Sequence, residues 1–216
     1  MKLIIFSDFD GTITTQDTGV ILIDLGMGYE GRKALDAQVL NGTLQFRNAL
    51  DVMWKSVNLS WEDAMKELDN VELDPHFLSF YLWVKDQQFP FTILSSGLIP
   101  IVEHFMKRDV GKNDSFKIHA NEVTIHQTHW ELTHVDDSPY GHDKGTHLRR
   151  ARKDLKDQEK IVFIGDGISD LSAAMEADIV FAKKGKDLET WCIKKNIKYV
   201  PWENFSTILD TLKSLK

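Results

Sequence analysis

The chain has 216 residues, a net charge of −7 and 42% hydrophobic residues, which fits a globular core domain carrying an inserted subdomain. The acidic balance argues against nucleic-acid binding, and the one cysteine, Cys192, excludes an internal disulfide and a cysteine-based zinc site. No apolar run reaches the roughly 18–20 residues that span a bilayer. We therefore expect a soluble, cytoplasmic protein with no membrane partner, while the oligomeric state stays open.

Four short apolar runs predict buried parallel strands, because each run ends abruptly at polar or glycine residues. In chain order the runs are Leu3–Phe6, Phe91–Leu94, Ile161–Ile164 and Ile179–Ala182. A helical stretch follows each run. This alternation of strand and helix predicts an α/β fold with a mainly parallel sheet.

The segment between the first two strands predicts helices rather than strands. The helical stretches are Thr18–Leu25, Gly31–Leu40, Leu44–Ser56, Trp61–Leu68 and Pro75–Gln87. We interpret residues 15–70 as a helical cap domain, inserted into a core domain formed by residues 1–14 and 71–216. Later in the chain, Phe116–Val135 predicts a β-hairpin with Asn121-Glu122 in its middle, and Asn204–Leu215 predicts an amphipathic helix.

The carboxyl ends of parallel strands meet at one edge of a sheet, where ligands bind in open α/β folds. This rule predicts one crevice that contains Asp8, Asp10, Ser95, Asp166 and Asp170. Carboxylates held so close repel one another, and a hard divalent cation such as Mg²⁺ relieves the repulsion. Hydroxyl and amide donors at Thr12 and Ser95-Ser96-Gly97, together with Lys144, can hold an anion. The combination predicts phosphoryl transfer to or from a small phosphate ester.

These residues also carry a family resemblance. Asp8-Phe9-Asp10-Gly11-Thr12 resembles the D-x-D-G-T signature of the haloacid dehalogenase (HAD) superfamily. Leu94-Ser95, Lys144 and Gly165–Asp170 resemble its second, third and fourth motifs, in the same order. The resemblance implies a Rossmann-like HAD core, and the helical insert resembles the C1 cap of the phosphoserine phosphatase branch.

The same resemblance implies roles for individual residues. Asp8 would be the nucleophile that forms an aspartyl-phosphate, and Asp10 would be the general acid and base. Phosphate oxygens would be bound by Lys144 and by Thr12, Ser95, Ser96 and Gly97. Mg²⁺ would be bound by Asp8, the Asp10 carbonyl and Asp166, with Asp170 nearby. The second aspartate favours phosphate esters over halides, because only an alkoxide leaving group needs a proton.

The substrate is predicted from the cap and from a narrower resemblance. Asp17 occupies the position where phosphoserine phosphatases bind the substrate amine, and Met53 aligns with the arginine that binds the substrate carboxylate. We therefore disfavour phosphoserine and expect Asp17 either to accept hydrogen bonds from hydroxyls or only to cap the following helix. Asp136–Lys144 and Gly165–Leu188 resemble a fungal branch of small HAD phosphatases that includes a polyol phosphatase, which implies a polyol or sugar-like phosphate.

Alternatives remain open at this stage. Within the phosphatases, they are a phosphoserine phosphatase and a methionine-salvage phosphatase. Outside them, a sugar phosphomutase and a catalytically silent binding module stay possible, although the intact motif residues argue against the silent module. We expect surface positions for His126, His129 and His134, a solvated loop at Lys183–Lys186 and a solvated helix face at Arg47.

Overall fold

The computed structural model describes residues 2–112 and 114–215. Within those ranges the strands are β1 (Lys2–Ser7), β2 (Phe91–Leu98), β3 (Lys117–His126), β4 (His129–Thr133), β5 (Glu159–Gly165), β6 (Ile179–Lys183) and β7 (Val200–Trp202). They form a single sheet of seven strands in the order β4-β3-β2-β1-β5-β6-β7. Neighbouring strands are parallel except for β3 and β4, which are antiparallel. The predicted α/β fold with a mainly parallel sheet is confirmed.

Helices connect the strands in the manner of an α/β fold. In the described ranges they are α1 (Thr18–Leu40), α2 (Phe46–Lys55), α3 (Trp61–Glu67), α4 (Phe77–Asp86), α5 (Ile99–Asp109), α6 (Lys144–Lys153), α7 (Leu171–Ala174), α8 (Asp187–Lys195) and α9 (Phe205–Ser214). The first four helices lie between β1 and β2, and α1 to α3 fall where the sequence predicts the cap domain. Helix α1 is interrupted at Gly28, whose φ of 80° is a left-handed conformation that glycine adopts without steric cost.

The two faces of the sheet bury separate hydrophobic clusters. Adjacent residues of β1 point to opposite faces, so Ile5 joins the larger cluster and Phe6 joins the smaller one. In β5, Val162 and Phe163 divide in the same way. Because both faces of the central strands are buried, their sequences are continuous apolar runs, and the sequence reveals them easily.

The predicted hairpin is present, but its turn lies later than the middle of the segment. The turn is at Gln127-Thr128, with Gln127 at φ 57°. Asn121 instead lies within β3, where its side-chain amide donates to the Ser96 carbonyl at 2.7 Å and its oxygen accepts from the Val135 amide at 3.1 Å. Those two bonds satisfy a buried amide that would otherwise favour a turn. No helix among the described residues has the length and apolar character of a membrane span.

The cap helices pack against this hairpin. Trp130 of β4 is fully buried, and its ring lies 5.8 Å from that of Trp54 in α2 and 6.2 Å from that of Trp61 in α3. Its indole N–H donates to the Leu59 carbonyl at 2.8 Å. Arg47 of α2 is not on a solvated face as predicted, because its guanidinium donates to the Asp136 carbonyl at 2.6 Å. Helices α2 and α3 therefore pack against the hairpin and the loop that follows it.

Candidate active site

The polar residues predicted to share a crevice lie at or just beyond the carboxyl ends of central strands. Asp8 comes directly after β1, and its amide donates to the Ile164 carbonyl of β5 at 2.9 Å. Ser95 lies in the C-terminal half of β2, and Asp166 follows β5. Since β1 lies between β2 and β5 in the sheet, these side chains meet at one point on its edge.

Lys144 is buried between two carboxylates. Its ammonium donates to Asp8 and to Asp170, in each case over 2.6 Å, and the lysine side chain is fully shielded from solvent. Burial alone lowers the pKa of Lys144, but the charges of Asp170 and Asp8 outweigh it and raise that pKa above its usual value. Lys144 is therefore a permanent cation in the centre of the crevice.

Asp170 is fully engaged by its neighbours. One carboxylate oxygen accepts from Lys144, and the other accepts from the amides of Asp166 and Gly167, both at 3.0 Å. Burial and the charge of Asp8 raise the pKa of Asp170 to about 6. This arrangement holds Lys144 and the Asp166 loop in place.

The carboxylates fit a divalent metal. Oxygens of Asp8, Asp166 and Asp170 lie within 4.8 Å of one another. Burial first, and then the charges of Asp8 and Asp170, raise the pKa of Asp166 well above its usual value, which reflects a cluster short of positive charge. A hard cation with oxygen ligands supplies that charge, so the donor set suits Mg²⁺.

Asp10 lies next to this cluster in an environment suited to proton transfer. Its Oδ1 accepts from the backbone amide of Thr18 at 2.9 Å and from the hydroxyl of Thr18 at 2.6 Å. Burial is the main cause that raises the pKa of Asp10 to about 7, and the charge of Asp17 adds to it. A carboxyl group with such a pKa can both donate and accept a proton near neutral pH.

The loop at the end of β2 provides donors for an anion. The hydroxyl of Ser95 accepts from the Gly97 amide at 2.9 Å and lies 3.4 Å from Asp10 Oδ2. The Ser96 hydroxyl is buried, lines the crevice and has no hydrogen-bond partner among the described residues. A Cβ atom on Gly97 would come within 2.7 Å of Asp10, so only glycine permits this approach. An unpartnered buried hydroxyl fits an oxygen of a bound phosphate group.

Thr12 and Asp17 lie in the same region with distinct contacts. The buried Thr12 hydroxyl is 3.4 Å from Asp166 Oδ1, so it supports a carboxylate rather than facing the Ser95 loop. Asp17 is the N-cap of α1, where its Oδ1 accepts from the Val20 amide at 2.8 Å, and it also lines the crevice. The helix-capping interpretation of Asp17 is therefore confirmed, and its role as a hydroxyl acceptor stays a prediction. Burial raises its pKa.

Lys183 belongs to the site, although the sequence analysis placed it in a solvated loop. It ends β6, and its ammonium donates to the Gly11 carbonyl at 2.6 Å and lies 5.0 Å from the ring centroid of Trp202. Burial lowers its pKa, partly offset by the charge of Asp166. The sequence feature that could have placed Lys183 near the site is its position at the end of a predicted parallel strand. The same feature identified Asp166.

His142 contacts the Ser95 loop directly, and His147 contacts His142. The Nδ1 of His142 lies 2.7 Å from the Ser95 carbonyl, which can only accept, so this nitrogen carries the proton. Its Nε2 therefore accepts from His147 Nε2 at 3.1 Å. Burial lowers the pKa of His142 to about 3 and that of His147 to about 4. The predicted surface position of His134 was wrong, since that side chain is buried against Asp51 at 2.8 Å.

A cavity of about 820 Å³ opens from these residues toward the cap. Its inner end is formed by Asp8, Asp10, Asp166 and the Ser95 loop. Its outer end is formed by cap residues, which are Asp17, Val20, Ile23, Arg32, Lys33, Asp36, Phe46, Leu50, Met53 and Trp54. Such a volume accommodates a small metabolite with its phosphate at the inner end.

Residues 5–175 match the protein family described as haloacid dehalogenase-like hydrolase. That span covers most of the chain and includes the four motif segments. The chain belongs to this family of HAD-like hydrolases. The assignment made from the motifs is therefore confirmed, and with it the expectation of a hydrolytic enzyme.

Relatives of this HAD-like hydrolase match over nearly its whole length. It is 41% identical to Pdp3-interacting factor 1 of Schizosaccharomyces pombe, over 99% of this chain and 96% of that protein. It is 38% identical to the polyol phosphate phosphatase PYP1 of Saccharomyces cerevisiae, over 100% of this chain and 93% of that protein. Among solved structures, a substrate-bound phosphoserine phosphatase superposes with a TM-score of 0.74 over 98% of both chains; at 18% identity it shows the shared fold.

Proposed function

We propose that this HAD-like hydrolase is a Mg²⁺-dependent phosphomonoesterase that acts on a small phosphorylated metabolite, a polyol or sugar-like phosphate. The observation that carries the proposal is the buried Lys144 held between Asp8 and Asp170 beside an acidic cluster. A phosphate anion can approach an anionic nucleophile only where positive charge is fixed beside it. Lys144 supplies one such charge. The carboxylates of Asp8 and Asp166 would bind Mg²⁺, which would supply the other.

Asp8 is the proposed nucleophile. Lys144 occupies its Oδ1, which leaves the other oxygen for attack on phosphorus. The new bond joins this oxygen to phosphorus, the ester P–O bond breaks, and an aspartyl-phosphate remains. In the second step the oxygen of a water attacks phosphorus and releases the Asp8 carboxylate and inorganic phosphate.

Asp10 is the proposed general acid and base. Its carboxyl proton passes to the leaving alkoxide in the first step, and its carboxylate then takes a proton from the attacking water. The hydrogen bonds from Thr18 fix Oδ1, so Oδ2, which faces Ser95, is the atom that exchanges the proton. A pKa of about 7 suits both directions of transfer.

Mg²⁺ would be held by Asp8, the Asp10 carbonyl and Asp166, where it would neutralise charge on the transferring phosphoryl group. The phosphate oxygens would receive hydrogen bonds from Ser95, Ser96 and the Gly97 amide, as well as from Lys144. Asp170 positions Lys144 and the Asp166 amide through its hydrogen bonds. Thr12 holds Asp166 instead of phosphate.

Three observations support a polyol phosphate as the substrate. A relative named for polyol phosphates is 38% identical over 100% of this chain and 93% of its own length. The cap carries the buried Met53 where a carboxylate-binding arginine would be needed for phosphoserine. Asp17 lines the cavity, where its carboxylate would accept hydrogen bonds from substrate hydroxyls. Relatives named 2-hydroxy-3-keto-5-methylthiopentenyl-1-phosphate phosphatase are less similar, at 28% identity for one from Microcystis aeruginosa, and their substrate forms the second candidate.

The test is phosphate release from a panel of esters, measured with Mg²⁺ and with a chelator. The panel contains polyol phosphates, sugar phosphates, phosphoserine, phosphoglycolate and the methylthiopentenyl phosphate. We expect chelator-sensitive release that is fastest with polyol or sugar phosphates. Metal-independent release would refute the proposed metal site, and selective release from phosphoserine would refute the substrate assignment.

A further inference from the structure

A buried arginine in the cap is held by two carboxylates. The Nε and Nη2 of Arg32 donate to the two oxygens of Asp24 at 2.6 and 3.0 Å, and Nη1 donates to Asp36 at 3.0 Å. We call these three residues the Arg32 clamp. The break in α1 at Gly28 separates Asp24 from Arg32 and permits the bidentate contact across eight residues. The clamp therefore fixes the bend of α1 over the cavity.

The clamp faces the same cavity as the proposed nucleophile. Arg32 and Asp36 line this cavity together with Asp8 and Asp17, and only 7% of Arg32 is exposed. The charge of Arg32 is already compensated by Asp24 and Asp36. The other cap cation of the lining, Lys33, lies 3.7 Å from Asp36. The lining residues Asp17 and Asp36 balance Arg32 and Lys33, and Asp24 behind Arg32 adds a third carboxylate, so a substrate carboxylate placed there meets net negative charge.

The clamp nevertheless keeps hydrogen-bonding capacity. A guanidinium has five N–H groups, and three of those in Arg32 are used by Asp24 and Asp36. No acceptor among the described residues holds the other two. The carboxylate of Asp17 has an oxygen beyond the one that caps α1. A hydroxyl group matches this set, because it can accept from the arginine and donate to a carboxylate at the same time.

From this geometry we propose that the Arg32 clamp and Asp17 determine specificity: they bind hydroxyl groups of the substrate and reject a carboxylate at the same position. The inference rests on the proposed function and deepens it. The substrate class is a short phosphate monoester whose far end is an uncharged polyol. The apolar wall formed by Phe46, Leu50 and Met53 offers no cation that would compensate an acid.

Two substrates of equal length test the proposal directly. Glycerol 3-phosphate and 3-phosphoglycerate both have three carbons and the same phosphate ester, and they differ in a terminal hydroxymethyl or carboxylate group. We expect kcat/KM to favour glycerol 3-phosphate by about a hundredfold, since a like charge at a desolvated site is strongly disfavoured. Equal values, or a preference for 3-phosphoglycerate, would overturn the clamp proposal.

Charge removal gives the second arm of the experiment. Asp36→Asn keeps a hydrogen bond to Arg32 but removes one negative charge, so we expect the preference to fall about tenfold. The matched control is Asp63→Asn, an exposed cap aspartate in α3 that does not line the cavity. It should leave the preference unchanged. An identical preference in both variants refutes the clamp, and Asp24→Asn repeats the test if Asp36→Asn fails to fold.

A generic substrate separates the two levels of the account. Hydrolysis of 4-nitrophenyl phosphate with Mg²⁺ reports the chemistry without a polyol group. Turnover of this compound with no discrimination between the two three-carbon esters overturns the clamp and leaves the phosphatase proposal standing. If none of the three compounds releases phosphate, the proposed function itself is overturned.

Discussion

Replacing Lys144 by methionine tests the buried charge network in the absence of metal. Methionine is of similar length and fills the space, but it leaves the carboxylates of Asp8 and Asp170 buried without the ammonium that now lies 2.6 Å from each. Removing one partner from a buried ion pair costs about 3–5 kcal/mol. We expect Lys144→Met to lower the free energy of unfolding by this amount at pH 8.

The loss should depend on pH in a defined direction. The pKa of Asp170 is already raised to about 6, and removal of the ammonium raises it further. A carboxyl group whose folded pKa lies above its unfolded value lowers stability as the pH rises from the unfolded toward the folded value. The difference between variant and wild type therefore grows above pH 6 and shrinks at pH 5, where Asp170 is protonated in the folded protein.

The assay is urea unfolding followed by tryptophan fluorescence, with a chelator present, at pH 5 and pH 8. The control is Lys107→Met, which removes an exposed lysine paired with Glu103 in α5 and should cause no measurable loss. Equal destabilisation by Lys144→Met at both pH values would contradict the account. It would mean that lost packing, rather than unpaired charge, explains the effect.

Three further variants test separate contacts. Trp130→Phe removes the indole hydrogen bond to the Leu59 carbonyl and should lower the free energy of unfolding in urea by about 1 kcal/mol. Trp130→Ala also removes the ring packing and should lower it by about 3–5 kcal/mol; equal losses would refute the packing role. Ser96→Ala should leave stability unchanged, because the Ser96 hydroxyl has no hydrogen-bond partner among the described residues. It should raise the inhibition constant of inorganic phosphate about fivefold, because it removes a hydrogen bond to the bound phosphate; an unchanged constant contradicts this. Lys183→Met frees the Gly11 carbonyl and should lower kcat about tenfold in steady-state assays; full activity would contradict its role.

The parts of the fold that the sequence predicts are those in which neighbouring residues alone create the pattern. β1 and β5 are buried on both faces, so Leu3–Phe6 and Ile161–Ile164 are continuous apolar runs, and the motif aspartates follow directly. Strand β7 has three residues including Pro201, which is too short to produce a pattern. It forms because β6 offers it a free edge to pair with.

The side chains that the sequence analysis missed depend on contacts distant in the chain. Lys183 resembles its exposed neighbours Lys184 and Lys186, and only the approach of Gly11, 172 residues earlier, distinguishes it. Burial of His134 follows from the docking of α2, which brings Asp51 to it. Such pairings are decided by tertiary packing, so composition and periodicity do not contain them.

The measurement that tests the central claim most directly is the turnover of Asp8→Asn on a substrate that the wild type hydrolyses with Mg²⁺. Asparagine keeps the shape and the hydrogen-bonding oxygen but is a poor nucleophile. The account predicts that kcat falls by about a thousandfold or more, while circular dichroism shows a folded protein. A folded Asp8→Asn variant that retains turnover comparable with the wild type would contradict the aspartyl-phosphate mechanism.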